Sequence, residues 1–153
     1  MVDVLPDRPR KGRGAVSNRP SRYETHDRSA VDHGWYMDED LPPLRTTLTP
    51  DATRTIIARN RSPDVPFDRS INPYRGCEHG CIYCFARPTH AFLGMSPGLD
   101  FETRLFFKPD AARLLDAELR HPKYACDVIA MGTNTDPYQP VERGLNITRR
   151  ILE

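Results

Sequence analysis

The chain has little of what large cores and secreted scaffolds are built from. Apolar residues make up 38% of its 153 residues, aromatics 8%, and there is one tryptophan. Mean hydropathy is −0.63. No apolar run approaches a membrane span, and the first residues contain no apolar leader-like stretch, so no membrane partner is expected. Cysteine is scarce too: there are four, and three fall within eight residues. That clustering does not suit a dispersed disulfide framework. It points to a reducing, cytoplasmic setting and a metal site.

Proline and glycine are plentiful, at 15 and 9 residues. Residues 1–66 hold eight of the 15 prolines but three of the 13 aromatics, Tyr23, Trp35 and Tyr36. Such a segment buries little apolar surface, so residues 1–66 are expected to be extended or partly disordered, with Trp35-Tyr36 docking on the later domain. The net charge of +1 conceals a basic start, in which Arg8, Arg10, Lys11, Arg13, Arg19 and Arg22 face Asp3 and Asp7. A basic tail attracts polyanions such as nucleic acid, although a solvated terminus has the same composition.

Order is expected from Phe67 onward, giving a domain over residues 67–153. Arg54–Arg59 reads as a short strand or arm. A strand around Ser70–Asn72 leads into a cysteine loop, and Pro73 limits its length. Phe101–Lys108 alternates like a half-buried strand. A helix starts at Pro109-Asp110 and presents Ala111, Leu114, Leu115 and Leu119 on one face, with Asp116 able to pair with Arg113 and Arg120 on the other. Asp127–Met131 is a continuous apolar run, as in a strand buried on both faces. The polar loop Gly132–Pro140 follows, and then a helix from Asn146–Thr148. Strand, cysteine loop, strand, helix, strand, loop and helix make an α/β order. It holds too few strands to close a barrel, and reads as the front part of a larger domain.

The chemistry concentrates in Cys77-Glu78-His79-Gly80-Cys81-Ile82-Tyr83-Cys84, spaced Cys-x3-Cys-x2-Cys. Clustered thiolates suit one soft metal centre, and three ligands leave one position open. Zinc completed by His79 or His90 is one solution, although no second cysteine pair accompanies it. The other solution is a [4Fe–4S] cluster with one iron lacking a protein ligand. Cys126 precedes its strand, so it should lie at the far end from this loop and act as a small buried apolar residue.

The loop, with an aromatic directly before its third cysteine, resembles the signature of radical S-adenosylmethionine enzymes. Ser70–Cys84 together with Thr135-Asp136-Pro137-Tyr138-Gln139-Pro140 resembles the branch related to spore photoproduct lyase, whose members are termed DNA repair photolyase-like. The resemblance spans about residues 60–153, with a weaker echo over Lys11–Ala15. It implies a partial (β/α) barrel with a long, largely irregular N-terminal extension. It also implies that Cys77, Cys81 and Cys84 ligate a [4Fe–4S] cluster, whose open iron binds S-adenosylmethionine and passes it an electron to yield a deoxyadenosyl radical. By the same resemblance Tyr83 lies by the adenine. Thr133–Asp136 stands where the family has Gly-Gly-Glu, which makes Asn134, Thr135 and Asp136 cofactor contacts. Tyr83 as a packed aromatic and Asp136-Pro137 as a turn are the structural readings of the same residues.

The resemblance further implies a low-potential electron donor of flavodoxin or ferredoxin type, and a lyase-like enzyme acting on DNA photoproducts. The competing expectations are a zinc- or cluster-bearing nucleic-acid-binding module without catalysis, and an inactive truncated fragment. Arg75 is a candidate to balance cluster or cofactor charge. One expectation rests on topology alone: loops that follow parallel strands share one face, so the cysteine loop and Thr133–Asp136 should lie on the same face if their strands are parallel.

Overall fold

The computed structural model describes residues 7–25 and 43–153. Trp35-Tyr36 lies outside the described residues. The described residues form two small three-stranded sheets. The first has strand order β1 (Thr47–Pro50), β5 (Arg104–Phe107), β4 (Tyr74–Arg75). In it β1 runs parallel to β5 and β4 antiparallel. The second has order β2 (Ile57–Arg59), β3 (Arg69–Ile71), β6 (Ala130–Met131). There β2 is antiparallel to β3, and β6 is parallel to it with Ser70 opposite Ala130 and Ile71 opposite Met131.

The pairings run across the domain boundary expected near residue 66. β1 and β2 precede it, and each is held by a later strand. Neither has alternation strong enough to announce a strand, because most of their side chains are exposed and backbone pairing alone recruits them.

Helices α1 (Leu99–Thr103), α2 (Ala111–Leu119), α3 (Glu142–Leu145) and α4 (Ile147–Leu152) complete the order, with a 3-10 helix over Arg87–Leu93. Ala111, Leu114 and Leu115 of α2 reach the main core with Ile56, Ile71, Tyr74 and Ile147. Leu119 stays 42% exposed. Asp116 pairs with Arg120 at 2.7 Å, whereas Arg113 turns to Asp110 at 3.5 Å. Among the described residues no helix is long and apolar enough to cross a membrane.

Three expectations change. Phe101–Lys108 opens as the last turn of α1, and only Arg104–Phe107 is strand. The N–H of Asp100 is taken by Asn18 and the Thr103 hydroxyl bonds the carbonyl of Leu99, which satisfies a helical turn there. The strand expected over Asp127–Met131 shrinks to Ala130–Met131, both half-buried. Val128 is 75% exposed. β6 pairs with β3 on one edge and with no described strand on the other, so one side of the apolar run, through Ile129, meets the core. Cys126 is likewise exposed, not a buried apolar filler.

Candidate metal centre

β3 ends at Ile71, and the cysteine loop begins after the two-residue strand β4. Gly76 has φ +79° and Gly80 has φ +62°, a region that side-chain-bearing residues avoid. These two turns let the backbone fold back. The N–H of Cys77 donates to the Phe101 carbonyl at 3.0 Å, that of Gly80 to the Cys77 carbonyl at 3.4 Å, and that of Cys84 to the Cys81 carbonyl at 3.1 Å.

The loop following β6 meets this one, as parallel strands require. Asn72 joins the bases of the two: its Nδ2 donates to Thr133 Oγ1 at 3.1 Å, and its Oδ1 accepts from the Asn134 N–H at 2.8 Å. Gln139, 1% exposed, joins their middles. Its Nε2 donates to the Gly76 carbonyl at 3.3 Å and its Oε1 accepts the Glu78 N–H at 3.1 Å. His79 Nε2 lies 3.3 Å from Asp136 Oδ2.

The candidate residues divide by what holds them. Cys77 is buried, Cys81 and Cys84 are half-buried, and all three are free thiols. Cys84 packs against the small cluster of Cys77, Ala86 and Phe101. Burial pushes the Cys77 thiol above its ordinary value, and the Asp136 and Cys81 charges add to that; the nearby backbone of Asp136 and His79 acts the other way. Thr135 is buried and its hydroxyl bonds the Tyr74 carbonyl at 3.3 Å. Asn134 and Asp136 are exposed, and Asp136 Oδ1 accepts the Tyr138 N–H at 2.7 Å. Tyr83 is 87% exposed, beside exposed Ile82 and Phe85. Arg75 pairs with Asp51 at 2.7 Å. His90 is fully buried, with Nε2 2.9 Å from the Arg104 carbonyl, its ring edge-on to Phe101, and its Nδ1 without a hydrogen-bond partner among the described residues.

The donors therefore fit a soft metal by kind. Their side chains are not drawn together: among the described residues, no three of His, Cys, Asp or Glu gather closely enough to hold an ion.

One element escaped the sequence reading. Glu102, at the end of α1, is fully buried beneath the loop. It accepts Arg87 Nη2 at 2.5 Å and the N–H groups of Gly14 and Ala15 at 3.0 and 2.8 Å. Within Phe101–Lys108 it looked like one more polar residue of an alternating strand.

No family model matches the chain, and no solved structure does. Over 88 residues it is 49% identical to uncharacterized proteins of Mycobacterium tuberculosis and Mycobacterium bovis. The match covers 56% of this chain and 26% of each relative, so the chain aligns with about a quarter of those proteins.

Proposed function

We propose that this chain forms the cluster-binding part of a radical S-adenosylmethionine protein. Cys77, Cys81 and Cys84 would hold a [4Fe–4S] cluster, and Tyr83, Asn134 and Asp136 would border the cofactor. The observation that carries the reading is the junction of two loops after parallel strands. Gln139 ties the two loops together and Asn72 joins their bases.

Each residue then has a physical task. Cys77, Cys81 and Cys84 would bind a metal as thiolates, and burial makes the thiol proton harder to release at Cys77. Gln139 and Asn72 fix the distance between the thiols and the Asn134–Asp136 edge. Thr135, the third residue proposed at that edge, donates its hydroxyl to the Tyr74 carbonyl and so braces it. Tyr83 offers an exposed ring for stacking on a purine. When bound, the cluster would supply the electron for reductive cleavage of S-adenosylmethionine. A flavodoxin- or ferredoxin-type donor and a lyase-like role in DNA photoproduct repair rest on the resemblance alone.

Anaerobic reconstitution tests the reading. The expected result is about four irons and four sulfides per chain, lost on Cys→Ser substitution at position 77, 81 or 84. Stoichiometric zinc without iron would replace this reading with that of a zinc-bearing binding module. A cluster without cofactor cleavage would favour an inactive fragment.

A further inference from the structure

The described N-terminal segment has no regular secondary structure, yet residues 13–19 are stitched to α1 and to the stretch before β1, beside the cysteine loop. Arg13 Nη1 donates to the Glu102 carbonyl at 2.7 Å. Its Nη2 reaches the Leu44 carbonyl at 2.8 Å and Thr46 Oγ1 at 3.0 Å. Thr46 in turn donates to Glu78 inside the loop. Gly14 and Ala15 give their N–H groups to the buried Glu102 carboxylate. Farther on, the Ser17 carbonyl accepts the Leu99 N–H at 3.1 Å, and Asn18 exchanges two hydrogen bonds with Asp100, at 3.0 and 2.9 Å.

The backbones touch where the segment crosses the loop. A Cβ on Gly14 would stand 1.9 Å from the Gly80 carbonyl oxygen, and one on Gly80 would stand 2.8 Å from Glu102 Oε2. Gly80 lies between Cys77 and Cys81. Arg87 joins at the same carboxylate. Its Nη2 bonds the Gly80 carbonyl at 2.9 Å as well as Glu102, and its Nε bonds the Cys81 carbonyl at 3.0 Å. One buried carboxylate and one planar guanidinium thus tie the segment to two consecutive loop carbonyls. A carboxylate without solvent needs such partners, which couples the three pieces.

We propose that Arg13–Arg19 is a strap that sets the shape of the Cys77–Cys84 loop through Glu102 and Arg87, as positioning residues for whatever soft metal the thiols hold. That the metal is an iron–sulfur cluster rests on the function proposed above; the strap does not. Arg87 serves by its fork, since lysine keeps the charge but cannot bond Glu102 and two carbonyls in one plane. The basic composition of this segment, open to a nucleic-acid reading from sequence, has a structural use at Arg13.

Amide hydrogen exchange on the metal-free chain tests the strap in Gly14→Ala, Glu102→Gln and Arg87→Lys. The expected result is exchange at Gly80 and Cys84 faster by about tenfold or more, with the amides of α2 unchanged. Unchanged loop exchange in all three variants would overturn the proposal. Equal loss of protection in α2 and the loop would overturn it too, since the residues would then hold the whole fold. In a second arm, reconstituted wild type and Arg87→Lys are compared for the rate of iron release to a chelator. Faster release from the variant supports positioning, and equal rates count against it. If wild type takes up no iron, the cluster reading fails, and the exchange arm alone decides the strap.

Discussion

Gln139→Met asks whether the two loops are held together by specific hydrogen bonds. Methionine nearly matches glutamine in volume, so the buried space stays filled while both amide bonds are lost. The Gly76 carbonyl is left without its buried donor, at a cost of about 1–3 kcal/mol. The Glu78 N–H lies partly exposed, where water can replace the lost acceptor, so its cost falls near the lower end of the same range. The sum is about 2–4 kcal/mol, a large share of the roughly 5–15 kcal/mol of a typical domain. With a urea m-value of about 1–3 kcal/mol per molar, the midpoint should fall on the order of 1–2 M. The same variant should expose Cys77, so its alkylation rate in native buffer should rise. A midpoint within about 0.3 M of wild type, with unchanged alkylation, would refute the claim that Gln139 locks the site.

Burial holds the His90 imidazole below its ordinary value; the Arg104 carbonyl and Asp100 favour the charged form, and the Arg104 and Arg75 charges oppose it. The unfolded chain then binds the proton more readily, so stability is full above about pH 6.5 and falls as pH drops through the folded-state value. The urea midpoint should drop between about pH 7.5 and 5.5 in wild type and less so in His90→Gln; equal slopes would contradict this. Glu142 accepts the Tyr74 hydroxyl and the N–H groups of Ile147 and Arg149, so it ties β4 to the start of α4. Glu142→Gln should cost about 1–3 kcal/mol and speed amide exchange in α4, and an unchanged melting profile would count against it. Cys126 lies exposed before β6, so Cys126→Ser should leave bound metal per chain unchanged while Cys81→Ser abolishes it. Metal loss in Cys126→Ser would contradict the topological argument.

What could be read from the sequence was local chemistry. The cysteine spacing marked its loop, Ala111, Leu114 and Leu115 marked α2, and the Gly132–Pro140 polar run marked a loop after a strand. What could not be read depends on partners distant in the chain. Glu102 looks solvent-facing in an alternating run, but its hydrogen-bond partners Gly14 and Ala15 lie 88 and 87 residues away. β1 carries no apolar pattern because its pairing with β5 is through the backbone and its side chains stay exposed. Val128 belongs to an apolar run that periodicity would bury, and its exposure follows from β6 lying at the edge of its described sheet. Thr135 was a candidate ligand contact on motif position. Its burial against the Tyr74 carbonyl gives it a structural task that no spacing reveals.

The central claim is that three thiolates leave one iron open to a chelating cofactor. The direct test is the electron paramagnetic resonance spectrum of the reduced, reconstituted chain with and without S-adenosylmethionine. A cluster signal whose g-values shift on adding the cofactor, and which is absent in Cys77→Ser, is the predicted result. A signal indifferent to the cofactor, or no cluster signal at all, would contradict the account.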